Sequence, residues 1–227
     1  MIRTLFAACS ISLIAADSST LLSSHIARDF DLTANPSAKQ WRKAPSVVTS
    51  NERWGKPVPG ARTEIRSRWS DGNLYFLFIS QYETLHRQPN APLDRDSWGM
   101  WDYDVAEVFI GDDLERIHLY KEFEVSPWGE WIDLDVDKKR EGKMVDADWN
   151  SGFKIRTRID EKKKMWYCEM QIPWRAVKRQ PAKAGEELRL NLYRIEGAGE
   201  SRKYIAWRPV NAPSYHTPEA FGRLRLQ

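Results

Sequence analysis

Short apolar runs, either alternating or continuous, recur along the chain between clusters of turn residues. Residues 63–69 alternate, with Ile65 and Ser67 on one face and Glu64, Arg66 and Arg68 on the other. The turn Ser70-Asp71-Gly72-Asn73 follows, and residues 74–79 (LYFLFI) are almost continuously apolar. An alternating strand, an Asp-Gly turn and an apolar strand together predict a β-hairpin. Residues 153–159 alternate as a half-exposed strand does, and a charged turn over 160–164 joins them to apolar 165–172. Residues 188–195, 204–207 and 223–226 supply the closing strands. Only WRAVKRQ, from Trp174, has room for one or two helical turns. This pattern predicts an all-β fold, a single antiparallel β-sandwich (jelly-roll or immunoglobulin-like) with at most short helical turns.

Two apolar runs break the pattern in the same way. VAEVFI (105–110) carries Glu107, and LYKEFEV (119–125) carries Glu122 and Glu124, where a buried strand would place hydrophobes. Strand parity puts Val105, Glu107 and Phe109 on one face. If that face is inside, Glu107 needs a hydrogen-bond donor, either a ligand hydroxyl or Arg194. Trp98, Trp101, Trp128 and Trp131 flank the two runs. Flat rings beside carboxylates match a ligand with apolar faces and polar edges, the shape of a sugar ring. Core packing for the tryptophans and solvent exposure for the acids is the competing reading. Asp133, Asp135 and Asp137 share one face of IDLDVD and read as a solvated strand face.

Composition narrows the function classes. The chain has 227 residues, with 11 Trp to supply core area despite only 41% hydrophobic content. Its 35 basic and 32 acidic residues are interspersed, which argues against a large nucleic-acid patch. Arg3 followed by a short apolar run over 5–16 reads as a secretory signal peptide over 1–16, cleaved near Ala16. The expected product is secreted or periplasmic and does not span a membrane. Cys9 follows Phe6-Ala7-Ala8 and only faintly matches a lipoprotein cleavage site. Beyond it a single thiol remains, Cys168, in an apolar stretch that reads as a buried strand. Residues 17–30 read as a loosely ordered lead-in, and 31–227 as one domain with no internal repeat.

Seven segments, in order, resemble the family 9 carbohydrate-binding modules, a β-sandwich group related to DOMON domains. They are WRKAP, TEIRSRWSDGNLYFLF, WDYDVAEVFIG, YKEFEVSPWGEWID, WYCEMQIPW, LRLNLYRIEG and AWRPVNAPSYHTPEAFGRLRL. The resemblance spans nearly the whole chain after the leader. It implies a secreted, non-catalytic binder used in polysaccharide catabolism, in which two aromatic rings clamp a sugar. Trp101 matches the ring ahead of the D-x-x-E-x-F strand, and Tyr215 matches the ring before the proline of the last loop. Glu107 matches the strand glutamate. Glu124 falls where sugar-binding members often carry Arg, and Tyr193 falls near a Gln.

His216, beside Tyr215, is a further candidate hydroxyl donor, and Trp98 a further ring. The implied ligand is a mono- or oligosaccharide or a polysaccharide chain end, with a partner hydrolase as a possible companion. No cofactor is expected. Structural calcium occurs in the family, but the acidic turn residues Asp112 and Asp113 form no dense oxygen-ligand loop. Two other classes stay open. One is a glycoside hydrolase acting through Glu107 and Glu124, whose neighbouring strands suit paired carboxylates. The other is a haem-binding DOMON-like electron-transfer domain using Met100 with His118 or His216.

Overall fold

The computed structural model describes residues 19–146, 148–178 and 180–227, so the leader expected over 1–16 lies outside it. The strands run, in chain order, β1 (Thr20–His25), β2 (Ser46–Thr49), β3 (Asn51–Glu52), β4 (Thr63–Trp69), β5 (Asn73–Gln81), β6 (Val105–Gly111) and β7 (Leu119–Val125). They continue with β8 (Trp131–Asp137), β9 (Val145–Asp146), β10 (Lys154–Asp160), β11 (Met165–Pro173), β12 (Glu187–Glu196), β13 (Lys203–Ala206) and β14 (Gly222–Leu226). Among the described residues, the one α-helical turn, α1 (Trp174–Val177), falls in the WRAVKRQ segment.

Two sheets face each other. One runs β14-β12-β6-β7-β8-β9, with β13 beside β12 and β3 beside β13. The other runs β10-β11-β5-β4, with β2 beside β4. Their inner faces meet in the main core. Ala106, Val108, Ile110, Leu190, Leu192 and Phe123 come from the first sheet; Ile65, Phe76, Phe78, Trp166 and Met170 come from the second. Cys168 is a free thiol buried in this core. The β4–β5 hairpin forms around the Asp71-Gly72 turn with the expected parity, Ile65 and Ser67 buried and the charged residues half-buried.

Two expectations need correction. Residues 20–25, expected in a loosely ordered lead-in, form a strand at the seam of the sandwich. Thr20–Ser23 pair with Arg223–Leu226 of β14, and Ser24 and His25 pair with Arg68 and Trp69 of β4. Both pairings are parallel, so the sandwich is not purely antiparallel. The second correction concerns Asp133, which is buried and accepts a hydrogen bond from the Ser151 amide at 2.5 Å. Its face of β8 turns inward, where Trp131 packs edge-on against Phe153. Of the three aspartates, only Asp135 and Asp137, further along, reach partial exposure.

The outer face of the second sheet is covered by the segment around Trp41. Glu169 of β11 accepts the Trp41 indole N–H at 2.7 Å and the amides of Thr33 and Ala34 at 2.7 and 2.5 Å. A buried carboxylate with three donors is well satisfied. This fixes the segment as a lid over Tyr75, Leu77 and Tyr167. The outer face of the first sheet is built differently.

Candidate ligand-binding site

Alternation along β6 sends Ala106, Val108 and Ile110 into the core and leaves Glu107 and Phe109 on the outer face. Register sets their neighbours. Glu107 lies directly opposite Glu124 of β7 and Tyr193 of β12, while Phe109 lies opposite Glu122. The outer face therefore carries three glutamates within two adjacent strands, all buried. Glu107, Phe109, Glu122, Glu124, Leu134 and Ile195 floor a cavity of about 390 Å³, within the range typical of small-ligand pockets.

Aromatic side chains from loops and β13 wall this cavity. Trp98 and Trp101 approach from the segment before β6, edge to face with centroids 5.9 Å apart. Between them Gly99 has φ 83°, a left-handed conformation that residues with a Cβ rarely adopt, and a 3-10 turn over Met100–Asp102 follows. Trp98 is 46% exposed and leaves part of its ring open at the cavity wall. Tyr215 and His216 line the cavity from the loop before β14. Tyr215 stacks on Tyr193 with centroids 3.9 Å apart, and Tyr204 meets it edge-on at 5.5 Å. The Arg53 guanidinium sits 3.8 Å from the Tyr204 ring centre and donates to the Pro213 carbonyl. His216 Nδ1 lies 2.6 Å from the Tyr120 hydroxyl, and its Nε2 lies 3.9 Å from Glu122 Oε2.

The electrostatics of the floor follow from burial. Glu107 is raised well above the usual carboxylate range by desolvation, then by Glu122. Glu124 is raised in the same direction by desolvation, then by Glu107 and Glu122. Glu122 Oε2 and Glu124 Oε2 are buried with no hydrogen-bond partner.

Of the residues singled out in the sequence, Trp98, Trp101, Glu107, Glu124, Tyr215 and His216 all line this one cavity. Tyr193 does not. It is fully buried beneath Tyr215 and donates its hydroxyl to the Tyr215 carbonyl at 3.1 Å. Its parity is correct, but the Tyr215 ring covers it. Arg194, offered as a partner for Glu107, points into the core by the same alternation. There it lies 3.1 Å from Glu196 and donates to Thr63 Oγ1 at 3.3 Å.

Met100 is buried in the apolar cluster beside the cavity, and His118 lies near Lys138 and Glu219 in a separate depression. Of the three haem-ligand candidates, Met100 and His118 are thus not brought to one place, whereas His216 lines the cavity beside the cluster that buries Met100. Among the described residues, no group of three or more His, Cys, Asp or Glu is arranged to hold a metal. Glu122, Arg53 and Tyr204 were not picked out as site residues from the sequence. Glu122 was legible, because it shares parity with Glu124 two residues on.

A two-sheet β-sandwich with an aromatic, acid-floored cavity on one outer face has the architecture of a carbohydrate-binding module. The family model described as carbohydrate family 9 binding domain-like matches residues 35–227, and the chain belongs to that family. The "UPF0462 protein C4orf33 homolog" of Danio rerio is 28% identical over 180 residues, covering 75% of this chain and 84% of that protein. Endo-1,4-beta-xylanase A of Thermotoga neapolitana is 22% identical over 190 residues, which span 82% of this chain but 16% of the xylanase. A family 9 carbohydrate-binding module from Caldicellulosiruptor kristjanssonii, solved in complex with cellotriose, superposes with a TM-score of 0.66. That match covers 92% of this chain and 93% of the module, and at 14% identity the likeness is one of fold.

Proposed function

We propose that this is an exported, non-catalytic carbohydrate-binding protein that holds a sugar against Trp101 and Tyr215. The carrying observation is that both rings line one cavity whose floor supplies carboxylates as hydrogen-bond acceptors. A pyranose stacked on a ring buries its C–H face at about 25 cal/mol per Å², and its edge hydroxyls meet the acids. The bound state of the family 9 neighbour supports a sugar as the ligand class. The xylanase match spans too small a share of that enzyme to carry its activity across. The apolar leader read over residues 5–16 supports export.

Trp101→Ala tests the clamp. Affinity for the best glycan found in an array screen should fall at least about tenfold, or about 1.4 kcal/mol. The thermal midpoint should stay within about 3 °C of the parent. Unchanged affinity rejects the clamp, and an unfolded variant shows that Trp101 is core. Incubating the protein with the same oligosaccharide tests the non-catalytic part: new reducing ends would overturn it.

A further inference from the structure

Three carboxyl groups on the cavity floor are more acid than a neutral ligand needs. Like charges directly opposite on paired strands repel, and Glu107 and Glu124 hold that position. Glu122 adds a third acid on the same face. Buried acids of this kind are normally matched by a basic partner. Here the nearby cations are engaged elsewhere: Arg53 on the Tyr204 ring and the Pro213 carbonyl, and Arg202 on Asp102 and the Trp101 carbonyl. The His216 ring, whose Nε2 lies 3.9 Å from Glu122, carries a charge only when protonated.

Meanwhile Glu122 Oε2 and Glu124 Oε2 are buried without partners, on residues 4% and 1% exposed. Four rings, Trp98, Trp101, Tyr204 and Tyr215, surround these acids, and aromatic faces attract a cation as they attract sugar C–H groups.

We propose that the natural ligand is an amino sugar with a free, protonated amine, its ammonium seated over Glu107, Glu122 and Glu124. This rests on the carbohydrate reading and adds the charge of the ligand. A hydroxyl donates one hydrogen and leaves the mutual repulsion of the acids in place. An ammonium donates three and brings the compensating charge. Acetylation of the amine would remove that charge. Burial and then neighbouring acids raise both Glu107 and Glu124, and the charge of Arg202 offsets this only in part at Glu107.

Calorimetry with length-matched oligomers of glucosamine, N-acetylglucosamine and glucose, in low salt at about pH 6, decides it. Glucosamine oligomers should bind at least about tenfold tighter than either neutral series. In Glu124→Gln, and independently in Glu122→Gln, the ratio of glucosamine to glucose affinity should fall toward one. Using both variants keeps the test valid if one fails to fold. A wild-type protein that binds neutral oligomers equally well or better overturns the amine and leaves the carbohydrate reading standing. A preference that survives both substitutions also overturns it, as attraction from elsewhere on the surface. Failure of all three series to bind overturns the amine, and the carbohydrate reading falls with it only if the glycan array also finds no ligand.

Discussion

Asp96 and Asp133 interact beside the Trp-rich segment, and their repulsion has a measurable signature. Asp96 is pushed up from 3.8 to about 6, chiefly by desolvation and then by the charge of Asp133. Asp104 is also raised to about 6, again chiefly by desolvation. A carboxyl raised in the folded state contributes stability that is complete below its unfolded value and is lost as pH rises through its folded value. The thermal midpoint should therefore fall between about pH 4 and pH 6.5. Asp96→Asn should match the parent near pH 4, exceed it at pH 7 and show a shallower slope. Asp104 keeps some slope in the variant, as do the other raised carboxyls, Glu107, Glu124, Asp133 and Glu169. An Asn variant no more stable at pH 7 would show that Asp96 is not strained. Parity alone made the Glu107 face legible, since it needs only the chain's own alternation. Arg53 was not legible, because its partners Tyr204 and Pro213 lie far along the chain and only the fold brings them together.

Among the elements, β14 is the tightest fit. A Cβ on Gly222 would come within 2.5 Å of the Ser19 carbonyl and 2.9 Å of the Trp207 ring. Backbone on one side and a buried ring on the other leave no room to yield. Gly222→Ala should cost about 1–3 kcal/mol, read as a shift in the denaturant midpoint with unchanged m-value. No shift would mean that β1 and β14 move apart freely. Strands whose alternation is local, such as β4, β10 and β12, were legible in the sequence. The TLLSSH of β1 was not: only its two leucines are apolar, and its partners lie far along the chain in β14 and in β4. The inward face of β8 was missed for a related reason. Three alternating aspartates look solvated until Ser151 and Asp96 are found packed against the first of them.

For the molecule as a whole, β1 joins two sheets that would otherwise leave an open edge along β14 and at the Arg68–Trp69 end of β4, beyond the stretch that β2 covers. Unpaired edges are costly and prone to association. A chain shortened to begin at residue 31 should lose its cooperative thermal transition, or aggregate, in calorimetry at micromolar concentration. A transition like the parent's would show that β1 is dispensable. The same pairing of Thr20 with Arg223 sets a clock. Ser24 and His25 can meet β4 soon after it is made, but Thr20–Ser23 have no native partner until Arg223–Leu226 have been synthesised. Such distant pairing slows folding and leaves apolar surface uncovered meanwhile. The ribosome's pace thus governs how long the nascent chain must be shielded from its neighbours.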